Sequence, residues 1–317
     1  MIKIQARVKT EYGYSSYSDI NANSVVAQSA PVALVTNFAV APHKDSFVLT
    51  WDPITTDANT GYSAITKFVV SWDLGSAGSL SQTYDLTTGL SSPTLTITNA
   101  APTNYAVTAL TAYKFNVVPH NVHGAGQPLA ADVTSTSLDV PAVIAAPVIT
   151  QQSGTDKITI TWATPTDNGS PITDYQVLWK KSDNSYVESN SLCDGTSKVG
   201  NTLSCTDVSI TSIKTLTGRA LNDDILAGVI SVNAEGSSPQ SPDSSTTVKI
   251  QSAPTAFPGS LAATTNSDVA VTVTWTDLND ASTDAGYNAI TKYVVYYRTG
   301  SAAWSSVDTT DGNVVSQ

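Results

Sequence analysis

The chain is poor in the residues that usually carry chemistry. Its 317 residues include three His, two Cys and one Met, which is little raw material for a metal cluster or a proton relay. Charged residues make up only 13%, and 15 Lys and Arg stand against 26 Asp and Glu, for a net charge of −11. A nucleic-acid binder needs clustered cations to displace counterions, so nucleic acid is not an expected partner. The longest nearly apolar run, from Val140 to Ile149, is broken by Pro141 and Pro147. It is about half of what a membrane-spanning helix needs, so no span is expected in this stretch. The start, Met1-Ile2-Lys3-Ile4-Gln5-Ala6-Arg7, alternates apolar and polar residues and lacks the apolar core of a signal peptide. There is no G-x-S-x-G, no P-loop and no H-E-x-x-H. These absences predict a chain with no catalytic residues, no bound metal and no cofactor.

Small hydroxyls are plentiful. The 39 Ser and 44 Thr make up about a quarter of the chain, and Thr suits pleated strands while Ser suits turns. The apolar fraction of 41% is enough for ordered cores. The length allows two to three domains at about 100–200 residues each. Three segments then align: Phe47-Val48-Leu49-Thr50-Trp51, Ile158-Thr159-Ile160-Thr161-Trp162 and Val271-Thr272-Val273-Thr274-Trp275. Each alternates apolar and polar residues and ends in Trp, the pattern of a half-buried strand. The tryptophans are spaced by 111 and 113 residues. A second strand follows each: Ile65 to Val70, Ile172 to Val177 and Ile290 to Val295. A late strand recurs before Gly13, Gly124 and Gly236, spaced by 111 and 112. So long a period means one small domain per repeat, and short strands without an amphipathic helix predict antiparallel β-sandwiches.

The Trp strand, the following aromatic strand and Tyr113-x-Phe115-x-Val117-x-Pro119-x-Asn121-x-x-Gly124 resemble the fibronectin type III family. The resemblance covers essentially the whole chain. It implies an all-β fold of tandem immunoglobulin-like antiparallel sandwiches. It also implies that Tyr113, in Leu110-Thr111-Ala112-Tyr113, is a corner tyrosine bonding to backbone. The second full repeat departs here, with Ile225 in place of Tyr113, so its corner must be held differently. The Arg-Gly-Asp tripeptide of some family members is absent. Cys193 and Cys205 are not a usual feature of the family, and they are similar to a variant in large surface proteins of ciliated protists.

Ala30-Pro31, Ala146-Pro147 and Ala253-Pro254 open the repeats, and proline there suits a short stiff linker. The expected boundaries are 1–26, 30–140, 145–249 and 253–317. The first and last of these read as part-sandwiches, so the chain is expected to be a window of a longer array. Ile2, Ile4, Ala6 and Val8 at one end, and Tyr293, Val295 and Tyr297 at the other, would then be completed by neighbouring segments. The repeats also fall into two kinds. The spacing from Trp to the next strand's aromatic is 17, 13 and 18 residues. Gly61-Tyr62-Ser63-Ala64-Ile65-Thr66-Lys67 and Gly286-Tyr287-Asn288-Ala289-Ile290-Thr291-Lys292 are near copies, whereas Gly13-x-Ser15-x-x-Ser18 matches Gly236-x-Ser238-x-x-Ser241. The order therefore reads as short-loop, long-loop, short-loop, long-loop.

Cys193 and Cys205 read either as a local disulfide or as two unrelated buried thiols. Turn-forming polar surroundings favour the disulfide, worth about 3 kcal/mol by chain entropy and typical of extracellular chains. Trp51, Trp162 and Trp275 are expected in the cores, with Val48, Ile160 and Val273 facing inward beside them. Asn168-Gly169-Ser170 is one candidate N-glycosylation sequon. His120-x-x-His123 reads as a solvated turn, because no further ligand follows at metal spacing. The acidic loops Asp52 to Asn59 and Asp277 to Asp284 could hold Ca²⁺ but lack EF-hand spacing and read as turn formers. Tyr12, Tyr14 and Tyr17 read as packing at a domain junction, with sugar or protein contact as the alternative. The expectation is a non-enzymatic structural or adhesive array, extracellular or at the cell surface. Its partners would be proteins, including neighbouring repeats or copies, with carbohydrate as a candidate. The alternatives are a spacer of an extracellular enzyme and a receptor ectodomain.

Overall fold

The computed structural model describes residues 2–316 apart from 24, 247, 256–260, 268–269, 279 and 310–312. It forms two compact units: residues 1–140 with 168–170, and residues 141–167 with 171–317. The first unit opens with a hairpin of β1 (Lys9–Thr10) and β2 (Gly13–Tyr14). There follow β3 (Ala39–Pro42), β4 (Ser46–Thr50), β5 (Lys67–Trp72), β6 (Gln82–Leu86), β7 (Thr94–Thr98), β8 (Ala112–Asn121), β9 (Gly124–Ala125) and β10 (Val133–Thr136). They make two antiparallel sheets, ordered β3-β4-β7 and β10-β8-β5-β6, with β9 extending β8.

Strand pleating explains the core. Successive side chains point to opposite faces, so Phe47, Leu49 and Trp51 turn inward together. Val48 is half-buried on the other face, and the expectation that it faces the core is wrong by one residue. Trp51 meets Phe68 of the facing sheet edge-on, with ring centroids 5.4 Å apart. Phe47 meets Tyr113 and Phe115 at 5.2 and 5.0 Å, so the aromatic positions of β8 fill the space between the sheets.

The second unit contains β11 (Val148–Gln151), β12 (Lys157–Thr161), β13 (Asp174–Lys180), β14 (Tyr186–Glu188), β15 (Ser204–Ser209), helix α1 (Ile210–Thr217), β16 (Asp224–Ile225), β17 (Ala227–Asn233), β18 (Gly236–Ser237) and β19 (Val248–Lys249). The sheets are ordered β11-β12-β15 and β14-β13-β17-β18, with β16 paired to β19. Ile158, Ile160 and Trp162 face inward, and Trp162 meets Tyr175 at 5.8 Å. Helix α1 was not expected. Ser209 caps its start by accepting the Ser212 N–H, Gly218 ends it in a left-handed turn, and Ile210, Ile213 and Thr217 are buried. It lies between β15 and β16, just before Ile225. The corner held by Tyr113 in the first unit is thus held here by a capped helix and an apolar residue.

The unit continues with β20 (Ala262–Ser267), β21 (Ala270–Thr274), β22 (Tyr293–Tyr297), β23 (Ser305–Thr309) and β24 (Asn313–Ser316), paired as β20-β21-β24 and β22-β23. Trp275 is buried and meets Tyr293 at 5.3 Å, while Val273 is half-buried. In each of the three repeats the strand-ending Trp therefore packs on the aromatic of the strand opposite. The fold is all-β, built of antiparallel sandwiches, the architecture that the sequence resemblance implies.

The leading hairpin repeats a pattern of the second sandwich. The Ser15 and Ser18 hydroxyls accept the N–H groups of Val8 and Ala6 at 2.9 and 3.0 Å. The Ser238 and Ser241 hydroxyls accept those of Ser231 and Val229 at 3.0 and 2.9 Å. Ile2 and Ile4 stand where Ile225 and Ala227 stand, yet Ile2 and Ile4 are exposed and Ile225 and Ala227 are wholly buried.

Candidate functional site

The disulfide is part of the core. Cys205 lies on β15 opposite Ile160 of β12, and its sulfur bonds that of Cys193. Both cysteines are buried, and Leu192, Val199 and Leu203 pack against the same core. The bond therefore fastens the segment between β14 and β15 to the sandwich, out of reach of solvent. Tyr113 is buried, and its phenol oxygen accepts the N–H of Thr108.

Asn168 takes a positive φ of 55° in the loop between β12 and β13. Its side-chain nitrogen, the atom a glycan would modify, donates to the Val140 carbonyl at 2.7 Å. Ser170 of the same sequon is buried.

The histidines do not face a common point. His120 sits opposite Lys67 in the β5–β8 ladder, and burial, then the Lys67 charge, lowers its pKa. His123 points its Nε2 at Gln28 Oε1, 3.0 Å away. Among the described residues no group of three or more His, Cys, Asp or Glu could hold a metal ion. In the acidic loops, Asp52 accepts from Thr36 and Asn37, and Asp280 accepts the Ile290 N–H. Asn279 of the second loop lies outside the described residues. These carboxylates tie their loops to segments 10 to 16 positions away.

Two clusters combine charge and aromatic surface. On the outer face of the second sandwich, Lys180 and Tyr186 both donate to Asp243, at 2.7 and 2.5 Å. Burial pushes Asp243 up, but the two donors outweigh it and lower its pKa. Tyr186 is raised by burial and by the carboxylate. Lys180 and Tyr186 converge on one carboxylate and hold β13, β14 and the segment carrying Asp243 together, so the cluster is a structural tie.

The second cluster lies on the leading hairpin. The Arg7 guanidinium sits 3.9 Å from the Tyr14 ring centroid and 4.9 Å from that of Tyr17, and Lys9 is 5.3 Å from Tyr14. Tyr12 is 92% exposed, with Tyr14 and Tyr17 more than half exposed, so the expectation that these rings pack at a junction is corrected. The sequence reading missed Arg7 and Lys9, although their spacing of two put them on one face of a strand. Arg7 and Lys9 over these rings make a cationic and aromatic surface on a chain of net charge −11. At the other end of the chain, an apolar cavity of about 650 Å³ is lined by Val271, Val273, Val295, Tyr297 and Trp304. No helix among the described residues is long and apolar enough to cross a membrane.

No protein-family model matches the chain. Exoglucanase B of Cellulomonas fimi is 28% identical over 255 residues, which cover 77% of this chain and 21% of that protein. The chain thus spans about a fifth of the length of the curated relative it matches. Among solved structures, the FN1–FN3 domains of chicken CNTN1 match with a TM-score of 0.36 and 14% identity, over 78% of this chain and 76% of that one.

Proposed function

We propose that the chain is a non-enzymatic array of fibronectin type III-like sandwiches that sets distance and presents surface, extracellular or at the cell surface, within a stalk or filament. The observation that carries this reading is the repeat itself: three strand-ending tryptophans, each packed on the facing aromatic, at intervals of 111 and 113 residues. Stacked small domains give length, because each contacts chiefly its neighbours. A core disulfide fits a compartment outside the cytosol. The Arg7, Tyr14 and Tyr17 face is the surface proposed to meet protein partners.

The similarity to Exoglucanase B favours a second reading, a spacer module within an extracellular enzyme. One experiment separates them. The purified chain is incubated with insoluble cellulose and with soluble β-glucan, and bound protein and released reducing sugar are measured. The array reading expects neither binding nor release. Retention on cellulose without hydrolysis favours the accessory module. Hydrolysis would overturn the non-enzymatic reading.

A further inference from the structure

Two linkers in this chain are held by the same set of bonds. In the first unit, the Ser29 N–H donates to the Gly61 carbonyl at 2.9 Å, and the Gln28 side chain donates to the Tyr62 carbonyl at 2.8 Å. In the second unit, the Ser252 N–H donates to the Gly286 carbonyl at 3.0 Å, and the Gln251 side chain donates to the Tyr287 carbonyl at 2.7 Å. A third bond repeats too: Val32 N–H to Asn59 carbonyl, and Thr255 N–H to Asp284 carbonyl. A fourth closes the receiving loop, from Tyr62 to Asp57 and from Tyr287 to Ser282. The linker residues are offset by 223 positions and the loop residues by 225, so one device has been copied with the pair of repeats.

The loop geometry is built for this. Gly61 and Tyr62 have φ of 70° and 59°, and Gly286 and Tyr287 have 67° and 56°. Two successive left-handed residues turn their carbonyls outward, and glycine enters that region without a steric penalty. There is also no room for anything larger. A Cβ on Gly61 would lie 2.4 Å from the Ser29 carbonyl oxygen, and one on Gly286 would lie 2.2 Å from that of Ser252. In the first unit the buried Asn121 adds a cross-tie, donating to the carbonyls of both Ser29 and Thr60.

We infer that Gln-Ser-Ala-Pro and Gly-Tyr form a clasp that locks the step from each short-loop repeat to the long-loop repeat after it, making the repeat pair the mechanical unit. This rests on the spacing role only for its use, because a spacer can equally be hinged, and the cellulose assay can fail without touching it.

The test uses the full chain and reads amide hydrogen exchange at residues 26–33 and 249–255. Gly61→Ala with Gly286→Ala is expected to speed exchange there at least tenfold while β4, β8 and β12 keep their protection. Gly89→Ala is the control, because Gly89 has φ 69° but nothing within 4 Å of an added Cβ, and it should leave both linkers unchanged. Should the double glycine variant unfold, Gln28→Ala with Gln251→Ala removes only the side-chain bonds and is expected to give a smaller acceleration at the same residues. Spin labels at positions 17 and 84 read the joint itself, with a narrow distance distribution in the parent chain that broadens in the variants. Linkers already exchanging at the unprotected rate in the parent, or unaffected by the variants, would overturn the inference. So would equally broad distance distributions in parent and variant.

Discussion

The N–H of Thr108 donates to the phenol oxygen of Tyr113 across 2.9 Å, tying the turn before β8 to a ring that is itself in the core. Tyr113→Phe keeps the ring and removes the acceptor. Thr108 itself is exposed and water can take up its N–H, so losing the bond should cost about 0.5–1.5 kcal/mol, and the melting point of the first unit should fall by about 2–5 °C while the second stays put. Calorimetry on the full chain resolves the two. An unchanged first transition would mean that this bond contributes nothing net.

Tyr105 makes the same unit sensitive to alkali. Burial first, then its neighbour Tyr113, pushes the Tyr105 phenol up to about 12. A raised folded pKa means its stabilising contribution is complete below the ordinary value of 10.0 and is lost as pH climbs toward 12. Denaturant titrations between pH 9 and pH 12 should show this loss, and Tyr105→Phe should flatten it. A parent chain with no slope in that window would contradict the assignment.

Reduction of the Cys193–Cys205 bond should cost about 3 kcal/mol on the chain-entropy model. Because the bond lies in the second core, only the second unit's transition should move. Both sulfurs are buried and neither cysteine is free, so thiol-reactive dyes should label the chain only after unfolding in the presence of a reductant.

Core register is testable by pairs. Leu49→Ala should cost about 2–5 kcal/mol and Trp162→Ala about 3–5, by loss of transfer free energy and the cavity left behind. Val48→Ala, on the half-buried face, should cost about 1 kcal/mol or less. Equal losses at positions 48 and 49 would contradict the observed pleat.

The tryptophan strands were legible because a period of two and a period near 112 both survive in the letters. The aromatic opposite each Trp followed from the same repeat. Helix α1 was not legible, for a physical reason. Ile210-Thr211-Ser212-Ile213-Lys214-Thr215-Leu216-Thr217 is rich in β-branched residues that favour strands. It is helical because Ser209 and Gly218 cap it and the core receives Ile210 and Ile213. The error at Val48 was one of parity, since 47, 49 and 51 share a face. The Arg7, Tyr14 and Tyr17 cluster was half visible, because the tyrosines stood out and the cations were not matched to them. The clasp left near copies in the sequence, but its bonds from linker to loop join residues 27 to 36 positions apart, and only the fold brings them together.

The proposed spacing role requires sandwiches that each carry their own core. Pulling the chain between its ends in a single-molecule force experiment tests it most directly. Two discrete steps should appear for the two complete sandwiches, the first releasing about 400 Å at about 3.6 Å per residue. In oxidising buffer the second should be shorter by about 40 Å, because the disulfide hides twelve residues, and reductant should restore that length. A single step releasing both sandwiches together, or steps blind to reductant, would contradict the account.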